Sequence, residues 1–268
     1  MLITGAGSGI GLATAIEAAR IGFHAVAAVH RSDQVAAVQT AAAEAGVEVE
    51  ADVLDVTDDR RAAALVDRVE PWAVVENAGF MNPGLIEDVT IEEARHQLEV
   101  MLLAPVRLVQ LVLPGMRRRG GGRIVIVSSP LGEATLPLQG WYSATKRALS
   151  ALADGLRVEV VDDAVDVVLV EPGAASTPLW DDARDDLTER RSRSVRPEAY
   201  DRGIALQDQL GDRSAEPSDV ADVIGVALRA AHPRFRYRTP TAAVPFAVAA
   251  RVVPTSVRDR VVRALEEL

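Results

Sequence analysis

The sequence contains no cysteine among its 268 residues. A chain without thiols builds no disulfide framework and performs no thiolate chemistry, although this absence leaves the redox compartment open. Positive charge is also scarce, because 29 lysines and arginines stand against 39 aspartates and glutamates, which gives a formal net charge of −10. Nucleic acids and anionic membrane surfaces are recognised by clustered positive charge. We therefore expect no nucleic-acid partner and favour a small molecule.

Long uninterrupted apolar runs are missing as well. None approaches the ~18 residues that span a bilayer, because Arg107, Pro114 and Arg251 interrupt the most hydrophobic segments. The N-terminus has neither the basic region nor the long apolar region of a signal peptide. We therefore expect a cytoplasmic protein without an integral membrane segment. The four histidines are scattered along the chain, so no metal site is predicted.

What the sequence does contain is a regular alternation of short apolar runs and helical stretches. This order is typical of an α/β fold with a doubly wound parallel sheet and helices on both faces. The length fits one domain that spans residues 1–268. Strands are predicted at residues 2–4, 24–29, 47–53, 72–75, 124–127, 165–170 and 235–238.

A glycine-rich turn follows the first predicted strand and leads into a helical stretch. A backbone without side chains can approach a pyrophosphate closely, and the N-terminus of the following helix offers unpaired N–H groups and the positive end of its dipole. The order of strand, glycine turn and helix therefore predicts nucleotide binding. The predicted contacts in this segment are Thr4, Gly5, Gly7, Ser8, Gly9, Ile10 and Gly11.

The residues that close the second predicted strand bear on which dinucleotide binds. An acid at this position hydrogen-bonds the adenosine ribose hydroxyls, whereas a base accepts a 2′-phosphate. His30 and Arg31 lie here, which favours NADP. Asp33 lies near enough to keep NAD open, and Arg31 as a solvated loop charge is the remaining alternative.

Tyr142 and Lys146 lie four residues apart in a predicted helix and therefore share one face. A tyrosine titrates near ~10, and a lysine cation held beside it favours the phenolate and lowers the phenol pKa by about 1–3 units. Such a pair can act as an acid/base catalyst, and two surface residues at helical spacing are the alternative. Ser129 ends the fifth predicted strand, and the intervening loop can return the chain so that its hydroxyl meets the pair.

Four further segments are assigned from their position in the chain. Asn77 and Gly79 follow the fourth strand, where ligands bind in open α/β sheets, and are expected to contact the cofactor. Residues 91–116 predict a long apolar helix, buried against neighbouring elements or against a second subunit in a homo-oligomer. Residues 175–215, with dense mixed charge at 181–196, predict a mobile surface segment that serves as a substrate lid. Residues 240–268 predict an amphipathic extension, for which packing on the domain is favoured over a membrane or partner surface.

Together these motifs resemble those of the short-chain dehydrogenase/reductase family, in the same order and spacing and over essentially the whole chain. Arg236-Tyr237-Arg238 and the tail are similar to the branch that acts on retinoids, steroids and related lipophilic alcohols or ketones. The motifs that carry the resemblance are Thr4-Gly5-(x)3-Gly9-x-Gly11, Asp55-Val56, Asn77-Ala78-Gly79, Ser129, Tyr142-(x)3-Lys146 and Pro172-Gly173-(x)3-Thr177.

The resemblance implies a seven-stranded parallel sheet in a Rossmann arrangement. It also implies an oxidoreductase that moves a hydride between NAD(P) and a lipophilic secondary alcohol, ketone or aldehyde. Tyr142 is expected to donate or accept the substrate proton, Lys146 to lower the phenol pKa and hold the nicotinamide ribose, and Ser129 to hydrogen-bond the substrate oxygen. Further cofactor contacts implied by the resemblance are Asp55, Val56, Ala78, Pro172, Gly173 and Thr177.

Two residues depart from the family pattern. Met101 occupies the place of the asparagine that completes the catalytic tetrad and supports a water-linked proton relay behind the lysine, and a thioether cannot replace that amide. Glu76 replaces the first asparagine of the usual Asn-Asn-Ala-Gly and adds an acid near the cofactor. The alternative function is therefore a cofactor-binding protein with little turnover, acting as a sensor or a partner subunit.

Overall fold

The computed structural model describes residues 1–211 and 214–239, together with Val253, Pro254, Ser256, Val257 and Arg260. The strands within this part of the chain are β1 (Leu2–Thr4), β2 (Val26–Val29), β3 (Glu50–Val53), β4 (Ala73–Glu76), β5 (Gly122–Val127), β6 (Val165–Pro172) and β7 (Arg236–Thr239).

These strands form one parallel sheet in the order β3-β2-β1-β4-β5-β6-β7. The predicted doubly wound, seven-stranded parallel sheet of the Rossmann type is therefore confirmed. The strand order reverses between β1 and β4, so the crossovers leave this point toward opposite faces. A crevice opens there at the carboxyl ends of the strands, which is where open α/β sheets bind ligands.

Helices cover both faces of the sheet and bury two separate cores. Alternate residues of a strand face opposite sides, so Val75 of β4 lies in the first core and Val74 in the second. Helices α1, α2 and α9 cover the first core, whereas α3, α5 and α6 cover the second. The helices described are α1 (Gly9–Arg20), α2 (Asp33–Glu44), α3 (Asp59–Val69), α4 (Ile91–Leu98), α5 (Ala104–Arg118), α6 (Gly140–Glu159), α7 (Leu179–Arg191), α8 (Pro197–Gly211) and α9 (Pro217–Arg229).

The long apolar helix predicted at 91–116 is present, although it is not uniform. A π-helical turn at Glu99–Leu103 joins α4 to α5. By length and composition alone, Ile91–Arg118 is apolar enough to cross a membrane, which corrects the expectation that no segment of the chain is. Leu108, Val112 and Met116 of α5 nevertheless pack in the second core, so this helix belongs to the domain.

The charged stretch 181–196, predicted as a mobile surface segment of the substrate lid, is largely helical. Ala183, Leu187 and Arg190 recur at helical spacing and form the buried face of α7. The guanidinium of Arg190 donates from Nη2 to Asn82 Oδ1 at 2.6 Å and to Glu93 Oε1 at 2.7 Å. This buried face was not predicted from the sequence because one of its three residues is charged. The predicted extension at 240–268 lies almost entirely outside the described residues.

Candidate active site

The glycine turn between β1 and α1 depends on its lack of side chains. Gly5 and Gly9 have φ angles of +62° and +53°, in the left-handed region that favours glycine. A Cβ on Gly11 would lie 2.3 Å from the carbonyl oxygen of Gly5, so this position accepts no larger residue without rearrangement. Ser8 makes no side-chain capping hydrogen bond, and no acid lies in the first turn of α1. The helix N-terminus is therefore suited to an anion.

Thr4 and Asn77 brace this turn from beneath. The Thr4 hydroxyl accepts hydrogen bonds from the backbone N–H groups of Asn77 and Ala78, at 3.0 and 3.1 Å. The Asn77 amide donates to the carbonyl oxygens of Thr4 and Gly5, both at 3.1 Å. The side chains of these two predicted cofactor residues thus join the end of β1 to the end of β4. Their contribution to ligand binding is to hold the glycine turn in position.

Tyr142 and Lys146 are buried on one face of α6, beside Ser129 at the end of β5. The Lys146 Nζ atom lies 5.7 Å from the centroid of the Tyr142 ring and donates to the Val127 carbonyl oxygen at 2.9 Å. Ser129 hydrogen-bonds the phenol. The structure therefore brings together the three residues that sequence reasoning assigned to catalysis.

The pKa of Tyr142 differs from the expected direction. Burial raises it to about 12, and the hydrogen bond from Ser129 opposes this only in part. Burial also lowers the pKa of Lys146 to about 8. The sequence suggested that the lysine would lower the phenol pKa, but the apolar surroundings, which include Met81, Met101 and Ala183, disfavour both charged forms. Tyr142 therefore holds its proton at neutral pH.

A cavity of about 430 Å³ opens in front of these residues. Its wall is mostly apolar, and Lys146 is its only charged lining residue among those described. Sequence reasoning missed the residues that give it this character, which come from the loop before α6 and from α7 and α8. They include Leu136, Leu138, Leu179, Trp180 and Leu206.

Leu138 occupies an unusual backbone conformation at the wall of this cavity. Its φ angle is +61°, which is uncommon for a bulky residue. Its carbonyl oxygen accepts a hydrogen bond from the Gly84 N–H at 2.7 Å, and a Cβ on Gly203 of α8 would lie 2.1 Å from Leu138 Cδ1. The surroundings thus hold Leu138 against α8.

The sequence was compared with models of known protein families. A model described as short chain dehydrogenase matches residues 1–188. The chain belongs to the short-chain dehydrogenase family. This confirms the resemblance stated from the motifs.

Relatives within the short-chain dehydrogenases agree with this assignment. The uncharacterized oxidoreductase YbbO of Escherichia coli K12 is 32% identical over 98% of this chain and 93% of its own. Bovine retinol dehydrogenase 8 is 30% identical over 91% of this chain and 82% of its own. The solved structure of L-sorbose reductase from Gluconobacter frateurii, complexed with NADPH and L-sorbose, has a TM-score of 0.74 and 28% identity, covering 89% of this chain and 93% of that one.

Short-chain dehydrogenases work with a nicotinamide cofactor, and the residues of this chain fit one. The glycine turn presents backbone atoms without side chains, which a pyrophosphate can approach closely. Thr177 lies against the turn, since a Cβ on Gly9 would sit 2.9 Å from Thr177 Cγ2, so the loop after Pro172 and Gly173 meets it. Gly79 and Ile10 line the cavity that contains Tyr142. No group of three or more potential metal ligands occurs among the described residues.

The predicted adenosine contacts lie at the carboxyl ends of the neighbouring strands. Arg31 forms a two-point ion pair with Asp33, at 3.1 Å for both Nε–Oδ1 and Nη2–Oδ2. Asp55 accepts from the Thr57 N–H at 2.9 Å and from its hydroxyl at 2.7 Å, and these hydrogen bonds hold the pKa of Asp55 below its usual value. Arg31, which favours NADP, and Asp33, which keeps NAD open, are thus paired with each other.

Met101, which the resemblance aligned with the tetrad asparagine, lies in the π-helical turn Glu99–Leu103. It is fully buried and packs with Tyr142, and a Cβ on Gly79 would lie 3.2 Å from its Cε atom. An amide does occur one turn earlier, because Gln97 is buried and donates to the Thr145 hydroxyl at 3.0 Å. Sequence reasoning missed Gln97, although a glutamine four residues before Met101 in an apolar helix was a visible signal.

Glu76 ends β4 with its carboxyl group buried and both oxygens without a hydrogen-bond partner. Burial raises its pKa well above the ordinary value, so the group is expected to be protonated. It borders a small cavity of about 20 Å³, whose wall also includes Val56, Ala78 and Val100. Among the described residues that line this cavity, no other is charged. Glu76 thus lies beside Val56 and Ala78, two of the predicted cofactor contacts, with a carboxyl group whose pKa is raised by burial.

Proposed function

We propose that this short-chain dehydrogenase is an NADP(H)-preferring enzyme that interconverts lipophilic ketones or aldehydes and their alcohols. The observation that carries the proposal is the position of the buried Tyr142 phenol at the wall of a large, mostly apolar cavity. A site with one cation and no anion in its described wall favours neutral, apolar ligands. The kinship with bovine retinol dehydrogenase 8 supports the same class.

Each catalytic side chain has a role that follows from its chemistry. The bound cofactor supplies or accepts the hydride. Tyr142 donates its proton to the carbonyl oxygen during reduction, and the reverse reaction returns that proton. Ser129 donates a hydrogen bond to the same oxygen, and Lys146 stabilises the phenolate that forms. Because burial keeps Tyr142 protonated at neutral pH, the phenol of the free protein is in the form that donates a proton during reduction of a carbonyl substrate.

The proposal is tested with a panel of lipophilic ketones and secondary alcohols, by following the absorbance of the reduced nicotinamide. We expect substrate-dependent oxidation of NADPH with at least one ketone of the panel. The alternative, a sensor or partner subunit, is motivated by Met101 in place of the tetrad asparagine and by the raised pKa of Tyr142. Tight cofactor binding without turnover of any panel compound would favour that alternative.

The preference for NADP is proposed on the strength of Arg31. Replacing Arg31 with alanine should weaken NADP binding by about 10- to 100-fold, because charge-assisted hydrogen bonds to the 2′-phosphate are lost, whereas NAD binding should hardly change. Titration calorimetry with both nucleotides measures this. Asp33→Ala is the matched control, since it frees Arg31 from its ion pair and should tighten NADP binding. Equal losses for the two nucleotides in the Arg31 variant would refute the assignment.

A homo-oligomer is also proposed, from the surface of the long helix. Leu103, between α4 and α5, is 49% exposed, and Leu152 of α6 is 46% exposed. These leucines lie on neighbouring helical segments, and exposed apolar surface of this kind is suited to a subunit interface. Light scattering of the purified chain tests this, and a monomer at all concentrations would exclude it.

A further inference from the structure

One wall of the substrate cavity carries a polar group that the proposed reaction does not use. Helix α8 contributes Gly203, Leu206, Gln207 and Gln209 to the lining. Gln209 is exposed, but Gln207 is only 7% exposed. A buried glutamine at the wall of an apolar cavity requires hydrogen-bond partners for both ends of its amide.

The structure supplies a partner for only one end of the Gln207 amide. Its Nε2 atom donates to the carbonyl oxygen of Trp180 at 2.5 Å. Because a carbonyl oxygen only accepts, this contact fixes the orientation of the amide and identifies the other atom as Oε1. That oxygen is buried and has no hydrogen-bond partner among the residues that the structure describes. Gln207 therefore presents an unused acceptor.

A second unused acceptor lies on the adjoining segment. Gln139, at the start of α6, lines the same cavity, and its Oε1 atom is also buried without a partner. Gln139 follows Leu138, and Gln207 lies one turn after Gly203, the residue of α8 against which Leu138 packs. Two residues that line the cavity thus each carry a buried amide oxygen without a partner among the described residues, and the described wall has no anion.

We propose that Gln207, with Gln139 beside it, forms a second polar subsite that binds a hydroxyl or N–H donor of the substrate. This donor is distinct from the oxygen that reacts at Tyr142 and Ser129. The inference rests on the proposed function and narrows its substrate class to lipophilic hydroxy ketones, amido ketones and the corresponding alcohols. A purely hydrocarbon ketone would leave both amide oxygens desolvated and unpaired, which weakens its binding.

The test compares a parent ketone with a series of its positional isomers that carry one added hydroxyl. Titration calorimetry uses the full chain saturated with NADP⁺, so that bound ketones are not reduced, and the added hydroxyls are tertiary or phenolic, so that NADP⁺ does not oxidise them. We expect at least one hydroxy ketone to bind wild type about 3- to 10-fold more tightly than the parent, a typical net gain from one neutral hydrogen bond. Gln207→Leu should remove this advantage while leaving the affinity for the parent unchanged or increased.

Gln209→Leu is the matched control, because Gln209 lines the same cavity from an exposed position and its replacement should preserve the advantage. Should Gln207→Leu fail to fold, the wild-type series still decides. A series in which no hydroxy ketone binds better than the parent overturns the subsite. Preferential binding of one isomer without turnover, when that isomer is supplied with NADPH, would instead preserve the subsite and contradict the proposed function.

Discussion

Replacing Tyr142 with phenylalanine will lower the turnover number for a responsive ketone by about 10²- to 10⁴-fold, the range that one positioned proton donor contributes. The phenol is buried beside Ser129, and phenylalanine keeps its ring while removing only the oxygen. The packing with Met81, Met101 and Ala183 should therefore survive. Steady-state kinetics, followed through the nicotinamide absorbance, measures the loss.

Tyr237→Phe provides the control for the Tyr142 variant. Tyr237 is as buried as Tyr142, but its hydroxyl accepts a structural hydrogen bond from the Arg234 N–H at 3.1 Å outside the cavity lining. Its replacement should leave turnover nearly unchanged and affect only stability. If the Tyr142 variant retained most of the wild-type rate while its melting temperature was normal, the proton would have another donor and the proposed mechanism would be wrong.

Replacing Glu76 with glutamine will raise the free energy of unfolding, by an amount that grows with pH. Burial raises the pKa of the Glu76 carboxyl, so the folded chain retains a proton that the unfolded chain releases above about pH 4. Wild-type stability therefore falls with rising pH from that point, by up to about 1.4 kcal/mol per pH unit, until the raised pKa is reached. Glutamine has no proton to release, so its curve should lack this slope.

Urea denaturation at several values between about pH 5 and pH 8 measures the Glu76 effect. Glu171→Gln is the control, because Glu171 is equally buried but paired with Arg236 and Arg238. Removing that charge takes away the ion-pair partner of Arg238 and leaves Arg236 with Glu133 and Asp154, so this variant should lose about 3–5 kcal/mol. Parallel pH curves for wild type and Glu76→Gln would mean that Glu76 does not retain its proton in the folded chain.

The features predicted correctly from the sequence are those that local spacing determines. Local spacing almost completely determines the geometry of two motifs. One is the glycine turn between a strand and a helix, and the other is the tyrosine four residues before a lysine. Because the carboxyl ends of parallel strands meet at one edge of the sheet, predicting the strands also brought Ser129 and Asn77 to that edge. The site could therefore be assembled from segments distant in sequence.

The features that were missed depend on which side chains meet in three dimensions. Nothing near Gln207 in the sequence indicates that the Trp180 carbonyl would occupy one end of its amide. The predicted direction of the Tyr142 pKa shift was wrong because the apolar surroundings depend on Met81, Met101 and Ala183, which come from separate segments of the chain. The buried face of α7 was not predicted because it includes Arg190. A charged residue is rarely buried unless it is paired, and the sequence does not show which residues pair with it.

The buried Arg190 also limits how the cavity can adapt to its ligands. Lifting the last turn of α7 would leave the guanidinium and the Glu93 carboxylate without each other, and Arg190 holds the pKa of Glu93 down at about 2, so acidity in the physiological range does not release them. We therefore expect a bulkier molecule to obtain its space from rotamer changes of the lining side chains, with the ion pair keeping the end of α7 in place.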